Sequence, residues 1–132
     1  MFAIGVDIIE VARIARAADR WGDRFLCRVF TPAEIAYCGD RMASLAGRWA
    51  AKEAVSKALG TGWAPQRPHA AGWIDWTEIE IVRQQSGEPG VNLHGKALAR
   101  ARHLGLDNWK VSLSHTEDFA VAMVLAAGEG AA

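Results

Sequence analysis

The pattern of apolar positions between residues 41 and 59 predicts a long helix. Four apolar side chains recur there at helical spacing and form one stripe: Met42, Leu45, Ala46 and Trp49. Glu53 falls in the middle of that stripe, and Lys57 lies at its edge one turn further on. Arg48, Lys52 and Ser56 flank the stripe on one side. A carboxylate on a buried face is costly, so it normally has a cation, a hydrogen-bond network or a metal ion as its partner.

A simpler interpretation of the same helix is an ordinary ion pair between Glu53 and Lys57 on a half-solvated face. Such an i,i+4 pair stabilises a helix by only about 0.2–0.5 kcal/mol. From this helix alone the ordinary pair is slightly favoured. Gly60 and the residues after it predict the end of the helix, because glycine commonly follows a helix C-terminus.

A second carboxylate interrupts apolar sequence near the start of the chain. Residues 2–9 are rich in isoleucine and valine and predict a buried strand, but Asp7 lies within them. Aspartate is depleted in strands, so a buried one needs a reason. One alternative is that Asp7 ends the strand and caps a helix that begins near Glu10.

The remaining pattern predicts further helices and an antiparallel sheet. Thr31, Pro32 and Glu34 predict a helix start with a capping box. The other predicted elements are helices over 10–21 and 94–104, strands over 76–82 and 91–93, a long loop over 61–75, and a hairpin of 109–115 with 119–125. One face of the second hairpin strand is nearly all small, so something bulky should pack there. The prediction is an α+β fold in a single domain over 1–132, with a long central helix and shorter helices on a mostly antiparallel sheet.

Arginines share one face of the predicted 10–21 helix. Arg13, Arg16 and Arg20 lie on that face, and Arg24 continues the line if the helix persists. A solvated basic face with local ion pairs is the commoner explanation, and a docking surface for an acidic partner is the functional one.

Composition excludes several classes of function. Lysine plus arginine and aspartate plus glutamate both total 15, so a strong sequence-independent interaction with nucleic acid is not expected. No apolar run approaches the length that spans a membrane, and the start of the chain does not resemble a signal peptide. Cys27 and Cys38 lack the spacing of a zinc site, which favours reduced thiols in the cytoplasm.

The unusual polar residues together suggest phosphate chemistry with magnesium. Asp7 and Glu53 are oxygen ligands on different elements, and Lys57 lies one turn away from Glu53. Mg²⁺ prefers one or two carboxylates and completes its shell with water and substrate phosphates. His115 closes the inward face at the end of the hairpin, where a hydrogen-bonded core histidine is the favoured explanation if it is considered alone.

Several blocks of the sequence resemble the holo-acyl-carrier-protein synthase family, the small stand-alone phosphopantetheinyl transferases. The blocks are Gly5 to Glu10 with Arg13 and Ile14, Gly47 to Ala54, Ser56 to Gly62, Gly87 to Pro89, and Val111 to Thr116. They occur in order and at suitable spacing over nearly the whole chain. The segment from Trp63 to Gly72 is the main departure, since it is longer and richer in proline and tryptophan than this family leads us to expect.

The resemblance implies transfer of 4′-phosphopantetheine from coenzyme A to a serine of apo-acyl carrier protein. Asp7 and Glu53 would bind Mg²⁺, and Lys57 would contact the pyrophosphate. The expected nucleotide contacts are Arg48, Lys52, Gly60 and His115. Arg13, Arg20, Arg24 and Phe25 would meet the acidic carrier protein. The family fold and a homotrimer with the nucleotide cleft between subunits are also implied, without nucleic acid or membrane partners.

Two other functions remain as alternatives at this point. A magnesium-dependent phosphoanhydride hydrolase would use the same metal site, but it needs a dedicated water-activating residue. A non-enzymatic nucleotide-binding domain would use Asp7 and Glu53 only as members of structural ion pairs.

Overall fold

A computed structural model describes residues 1–61 and 74–129 of the protein. The strands are β1 (Phe2–Glu10), β2 (Ile79–Arg83), β3 (Pro89–Leu93), β4 (Asn108–His115) and β5 (Phe119–Ala127). The helices are α1 (Val11–Trp21), α2 (Asp23–Val29), α3 (Pro32–Cys38), α4 (Met42–Leu59) and α5 (Gly95–Leu104), and a short 3₁₀ turn covers Trp76–Glu78. No helix in these two ranges is both long and apolar enough to cross a membrane. Most of the predicted 61–75 loop, including the Trp63 to Gly72 segment, lies outside the described residues.

The strands form two antiparallel sheets. The larger sheet has the order β1-β5-β4, and β2 pairs with β3 in the smaller one. Helix α4 packs against β1 and β5 and also contacts β2, so it joins the two sheets. The α+β fold with a long central helix and antiparallel strands is therefore confirmed.

The inner face of β5 carries small side chains because α4 lies against it. Ala120, Ala122, Val124 and Ala126 are fully buried there. The sequence analysis expected a bulky element to cover this face, and that prediction is confirmed. The larger side chains of β5 point the other way and are exposed, among them Met123 and Leu125.

The predicted apolar stripe of α4 is only partly the buried side. Leu45 and Ala46 are buried and Met42 and Trp49 are half-buried, whereas the flanking Arg48, Lys52 and Ser56 are all buried. Twelve of its 18 residues are buried, so the helix is enclosed on nearly all sides. The other six residues reach the surface at two places: half-buried Met42, Ala43 and Ser44 in the first turn, and a line of half-buried Trp49 and Glu53 with exposed Lys57. A helix that is buried on nearly all sides has no single apolar stripe that marks the core.

Two boundaries differ from the prediction near the N-terminus and after the central loop. Helix α1 ends at Trp21 because Gly22 takes a positive φ of 54°, which glycine tolerates, so Arg24 lies on the separate helix α2. The sequence analysis predicted no helix for the segment that forms α2. The strand predicted over 76–82 begins only at Ile79, after the 3₁₀ turn.

A buried ion pair connects α3, α4 and β2. Glu34 and Thr31 form the predicted capping box at the start of α3. The Glu34 carboxylate, 1% exposed, also lies 2.8 Å from Lys52 Nζ and accepts a hydrogen bond from the Ile81 backbone N–H at 2.9 Å. One side chain therefore caps one helix, pairs with a second helix and binds a strand.

All three ammonium hydrogens of Lys52 have acceptors on the protein. Lys52 Nζ pairs with Glu34, and it donates to the backbone carbonyls of Trp76, at 3.1 Å, and of Ile79. Burial lowers the pKa of Lys52 below its usual range, although the charge of the Glu34 carboxylate opposes this effect. Such a fully satisfied buried pair fixes the positions of the elements that it joins.

Replacing Lys52 with methionine is expected to lower the free energy of unfolding by about 3–5 kcal/mol, because the Glu34 carboxylate would stay buried without its cation. Urea denaturation of the wild type and of Lys52→Met measures this difference.

The matched control is Lys57→Met, the same change on the same helix. The Lys57 side chain is 52% exposed, so its loss should cost no more than about 1 kcal/mol. Equal destabilisation by the two variants would contradict the structural importance given to Lys52.

Candidate active site

Strand β1 and helix α4 approach each other so closely that only glycine fits between them. A Cβ atom on Gly5 would lie 1.8 Å from the carbonyl oxygen of Ala54. Asp7 follows two residues later and therefore points to the same side of the strand, toward α4. The close contact at Gly5 thus brings the Asp7 carboxylate to the exposed line of α4.

Asp7 meets Lys57 at this edge of the helix. Lys57 Nζ lies 3.1 Å from Asp7 Oδ1 and donates a hydrogen bond to the backbone carbonyl of Val6 at 2.9 Å. The Asp7 side chain is 17% exposed. The alternative in which Asp7 ends the strand and caps a helix is wrong, since β1 continues to Glu10 and Glu10 precedes α1.

Glu53 lies one helical turn before Lys57 on the same line of α4. Residues four apart on a helix are neighbours on its surface, so Glu53 lies on the same side of α4 as Lys57, whose ammonium pairs with Asp7. Within the described ranges no group of three or more histidine, cysteine, aspartate or glutamate side chains could hold a metal. Two carboxylates in an accessible position fit Mg²⁺, which keeps several waters and takes substrate phosphates as ligands.

A separate cavity of about 370 Å³ lies beside Arg48, between the β2–β3 turn and β4. Its lining includes Tyr37, Arg48, Arg83, Glu88 and Pro89. Arg48 is 7% exposed, and its buried Nε has no hydrogen-bond partner in the described structure. A buried guanidinium nitrogen without an acceptor indicates a site for an anionic or hydrogen-bonding ligand.

The Arg48 cavity and the Asp7–Lys57 pair lie on opposite sides of α4. Arg48 and Lys57 are nine residues apart, which is about half a turn beyond two full turns and about 14 Å along the axis. The two predicted parts of the site are therefore not adjacent around the helix of one chain.

The other predicted contacts to coenzyme A occupy three different environments. The structure argues against Lys52 as such a contact, because its ammonium is fully buried in the pair with Glu34. Gly60 follows α4 with a φ of 72°, at the helix end whose partial charge is negative. His115 is exposed at the end of β4, so it is not a core histidine.

Two of the predicted docking residues, Arg24 and Phe25, line an exposed groove at α2, and the other two, Arg13 and Arg20, lie on α1. Arg13, Arg20 and Arg24 are exposed, and half-buried Phe25 packs against Phe30 and Trp49. A cavity of about 310 Å³ is lined by Trp21, Arg24, Phe25 and Arg28.

Several residues that line these two cavities were missing from the sequence prediction. Among them are Trp21 and Arg28 in the docking groove, and Tyr37 and Arg83 beside Arg48. Trp21 had a signal in the sequence, since it ends the helix that carries the arginines. Arg83 had no such signal in the sequence, because only the tertiary fold brings it close to Tyr37.

Comparison with known proteins decides the family. The sequence profile of the 4′-phosphopantetheinyl transferase superfamily matches residues 3–124. The chain belongs to this superfamily. The resemblance stated from the sequence is confirmed.

Relatives match over nearly their full length. The holo-[acyl-carrier-protein] synthase of Herpetosiphon aurantiacus is 49% identical over 128 residues, which cover 97% of this chain and 100% of that protein. The synthase of Dehalococcoides mccartyi strain 195 is 50% identical over 126 residues, covering 96% and 98%.

Solved structures of the same kind share the fold. The Helicobacter pylori holo-[acyl-carrier-protein] synthase in complex with coenzyme A superposes with a TM-score of 0.79 at 31% identity, covering 94% of this chain and 99% of that one. The Neisseria meningitidis synthase gives a TM-score of 0.80 at 30% identity, with 95% and 97% covered.

Proposed function

We propose that this chain transfers the 4′-phosphopantetheine group from coenzyme A to a serine of apo-acyl carrier protein, leaving adenosine 3′,5′-bisphosphate. The observation that carries the proposal is the ion pair of Asp7 with Lys57, with Glu53 one turn before Lys57 on the same side of α4, in a chain of the phosphopantetheinyl transferase superfamily. Free thiols at Cys27 and Cys38 agree with a cytoplasmic location.

The reaction replaces one phosphorus–oxygen bond by another. The serine oxygen attacks the phosphorus atom that bears pantetheine, and the bond from that phosphorus to the bridging oxygen of the pyrophosphate breaks. The Lys57 ammonium stabilises the negative charge that grows on the pyrophosphate, since it is half-exposed and fixed by Asp7 and the Val6 carbonyl. A water held by the Asp7 and Glu53 carboxylates accepts the serine proton and passes a proton on to one of these carboxylates.

Asp7 and Glu53 also provide the oxygen ligands for Mg²⁺ in this proposal. Bound there, the ion would neutralise pyrophosphate charge and hold it against Lys57. The exposure of this edge of α4 leaves room for the water and phosphate ligands that Mg²⁺ keeps.

The Arg48 cavity is the place proposed for the nucleotide end of coenzyme A. Its unpartnered buried guanidinium nitrogen and its position beside the Gly87 to Pro89 turn support binding of the 3′-phosphate. Exposed His115 and the backbone at Gly60 stay candidates for further contacts, whereas Lys52 is left out because it is buried.

The first test is intact-protein mass spectrometry of apo-acyl carrier protein incubated with this protein, coenzyme A and Mg²⁺. The expected result is the gain of one phosphopantetheine, which EDTA abolishes. Glu53→Gln should slow the transfer by about 10²-fold or more, because it removes a charged group that acts on the pyrophosphate. Isothermal titration of coenzyme A into Glu53→Gln controls for loss of the fold.

The two alternative functions predict different products. Release of free phosphopantetheine without a gain of mass on the carrier would favour the hydrolase. Binding of coenzyme A that is indifferent to Mg²⁺ and to Glu53→Gln, with no product, would favour a binding domain.

The arginine face of α1 and α2 is proposed as the docking surface for the acidic carrier protein. Arg13 and Arg24 are exposed, and the guanidinium of Arg20 lies 4.8 Å from the ring centre of Trp21. The groove beside them offers apolar surface at Phe25 and Trp21, which is 50% exposed. Charge attraction would guide the approach of the carrier protein, and the groove would provide the apolar contact.

Reversing two charges, Arg13→Glu with Arg20→Glu, is expected to raise KM for the carrier protein by about 10²-fold and to leave KM for coenzyme A unchanged. Steady-state kinetics with each substrate varied in turn measure both constants. Arg102→Glu, an exposed reversal on α5, is the control and should change neither. Equal rises in both constants for the double variant would argue against a docking role.

A homotrimer is proposed because the outer face of the larger sheet is apolar and uncovered. The exposed side chains on it are Phe2, Ile4, Val6, Ile8, Phe119, Met123 and Leu125, each at least 46% exposed. A surface of that kind normally meets another protein. Copies of the chain are the proposed occupant, because a neighbouring subunit would bring an Arg48 cavity to an Asp7–Lys57 pair that its own α4 separates from it.

Met123→Glu should convert the assembly to monomers and abolish transfer while the fold is kept, since Met123 points away from α4. Light scattering coupled to size-exclusion chromatography gives the mass, and circular dichroism gives the fold. The Arg102→Glu variant is the control and should remain a trimer. A wild type that is monomeric at assay concentration and fully active would contradict the proposed assembly.

A further inference from the structure

Three arginines surround the ring of Tyr37, the one tyrosine of the sequence. The guanidinium carbons of Arg48, Arg41 and Arg83 lie 4.4, 4.9 and 5.5 Å from the centre of the ring. The Nη1 of Arg83 also donates a hydrogen bond of 2.6 Å to the phenol oxygen. The tyrosine therefore lies against three arginines through its ring and also binds one of them, Arg83, through its hydroxyl group.

The cluster joins segments that are distant in sequence. Tyr37 is on α3, Arg41 precedes α4, Arg48 is on α4 and Arg83 ends β2. Arg41 serves the helix end rather than the cavity, since it donates to the backbone carbonyls of Tyr37 and Cys38 at the C-terminus of α3. Arg48 and Arg83 are the two that line the cavity.

One carboxylate, that of Glu88, lines the same cavity as Arg48 and Arg83 without forming a salt bridge to either of them. Within residues 1–61 and 74–129, no salt bridge joins Arg41, Arg48 or Arg83 to a carboxylate. Loss of solvent raises the pKa of Tyr37, but the hydrogen bond from Arg83 and the nearby positive charges outweigh this and lower it overall. Like charges held this close together favour a bound anion.

We propose that Tyr37 is a positioning residue: it holds the guanidinium groups of Arg83 and Arg48 side by side so that they bind the 3′-phosphate of coenzyme A. Tyr37 thereby makes the enzyme prefer coenzyme A to its 3′-dephospho form. This inference rests on the proposed function, and it adds Tyr37 and Arg83 to the residues that select the substrate.

The 3′-phosphate fits this place better than the pyrophosphate does. It is a terminal monoester with three free oxygens, which two guanidinium forks can bind. The pyrophosphate of the same coenzyme A is proposed to lie at the Asp7–Lys57 pair of a neighbouring subunit, because the two parts of the site are on opposite sides of α4 within one chain. The cavity volume of about 370 Å³ is within the usual range for small-molecule sites.

The phenol oxygen has a role that a phenylalanine ring cannot fill. Arg83 lies at an exposed strand end, and the hydrogen bond to Tyr37 is the contact that fixes its guanidinium. Without that bond the Arg83 side chain regains its rotameric freedom. Phosphate binding then carries the entropic cost of ordering this side chain again. The ring would still contact Arg48, so the cavity itself would remain.

The test compares coenzyme A with 3′-dephospho-coenzyme A as substrates of the wild type and of Tyr37→Phe. The variant is expected to raise KM for coenzyme A by about five- to tenfold, the effect of one charged hydrogen bond, with kcat unchanged. The KM for the dephospho form should stay the same. A general loss of stability would lower activity with both substrates, so it would not explain a rise in KM that is confined to coenzyme A.

A double-mutant cycle tests whether Tyr37 acts on the KM for coenzyme A through Arg83. Arg83→Lys keeps the charge, loses the planar fork, and lies at an exposed strand end that tolerates the change. If Tyr37 acts through Arg83, the double variant should resemble Arg83→Lys alone. Arg102→Lys on α5 is the matched control and should leave every constant unchanged. Additive effects of Tyr37→Phe and Arg83→Lys would overturn the positioning role.

Binding measurements separate this inference from the proposed function. Calorimetry with adenosine 3′,5′-bisphosphate and with AMP should show tighter binding of the bisphosphate to the wild type and a smaller difference for Tyr37→Phe. Equal KM values of the wild type for the two coenzyme forms would overturn the inference and leave the transferase function standing. Absence of any transfer would overturn the function, and the two binding constants would still decide whether Tyr37 selects the phosphate.

Discussion

The buried pair of Lys52 and Glu34 is the constraint on which the rest of the structure depends. It ties the start of α3 to the middle of α4, and its remaining hydrogen bonds reach the 3₁₀ turn and β2. Burying both charges is costly, and the cost is offset only while every donor and acceptor has its partner. The position of α4 relative to the smaller sheet therefore admits little variation. The shape of the cavity between that sheet and Arg48 is fixed by the same contacts.

Much of the fold follows from local rules that the sequence displays. The capping box of Thr31 and Glu34 and the alternation along β4 and β5 depend only on neighbouring residues. The two carboxylates of the candidate site were also recognisable, because Asp7 interrupts a strand and Glu53 interrupts an apolar stripe. The pairing of Asp7 with Lys57 needed one additional tertiary fact, the close approach of β1 to α4 at Gly5.

The remaining features depend on contacts between distant segments. Lys52 and Lys57 lie on one helix amid similar neighbours, yet one is fully buried and the other is half-exposed. No periodic pattern distinguishes them, since α4 is enclosed on nearly all sides and the partner of Lys52 is on another helix. The phenol of Tyr37 and the guanidinium of Arg83 are 46 residues apart, so their hydrogen bond was equally hidden from the sequence.

The pairing of β1 with β5 has a consequence for how the molecule forms during synthesis. Phe2 faces Ala127 and Glu10 faces Phe119, so the sheet joins segments more than 100 residues apart. Contacts of such long range form slowly, and β1 has no other strand beside it in the described structure. The sheet that contains the strand with Asp7 is therefore complete only after β5 has been synthesised. The Asp7 side of the candidate site depends on two distant parts of the chain, α4 on one side of β1 and β5 at its edge.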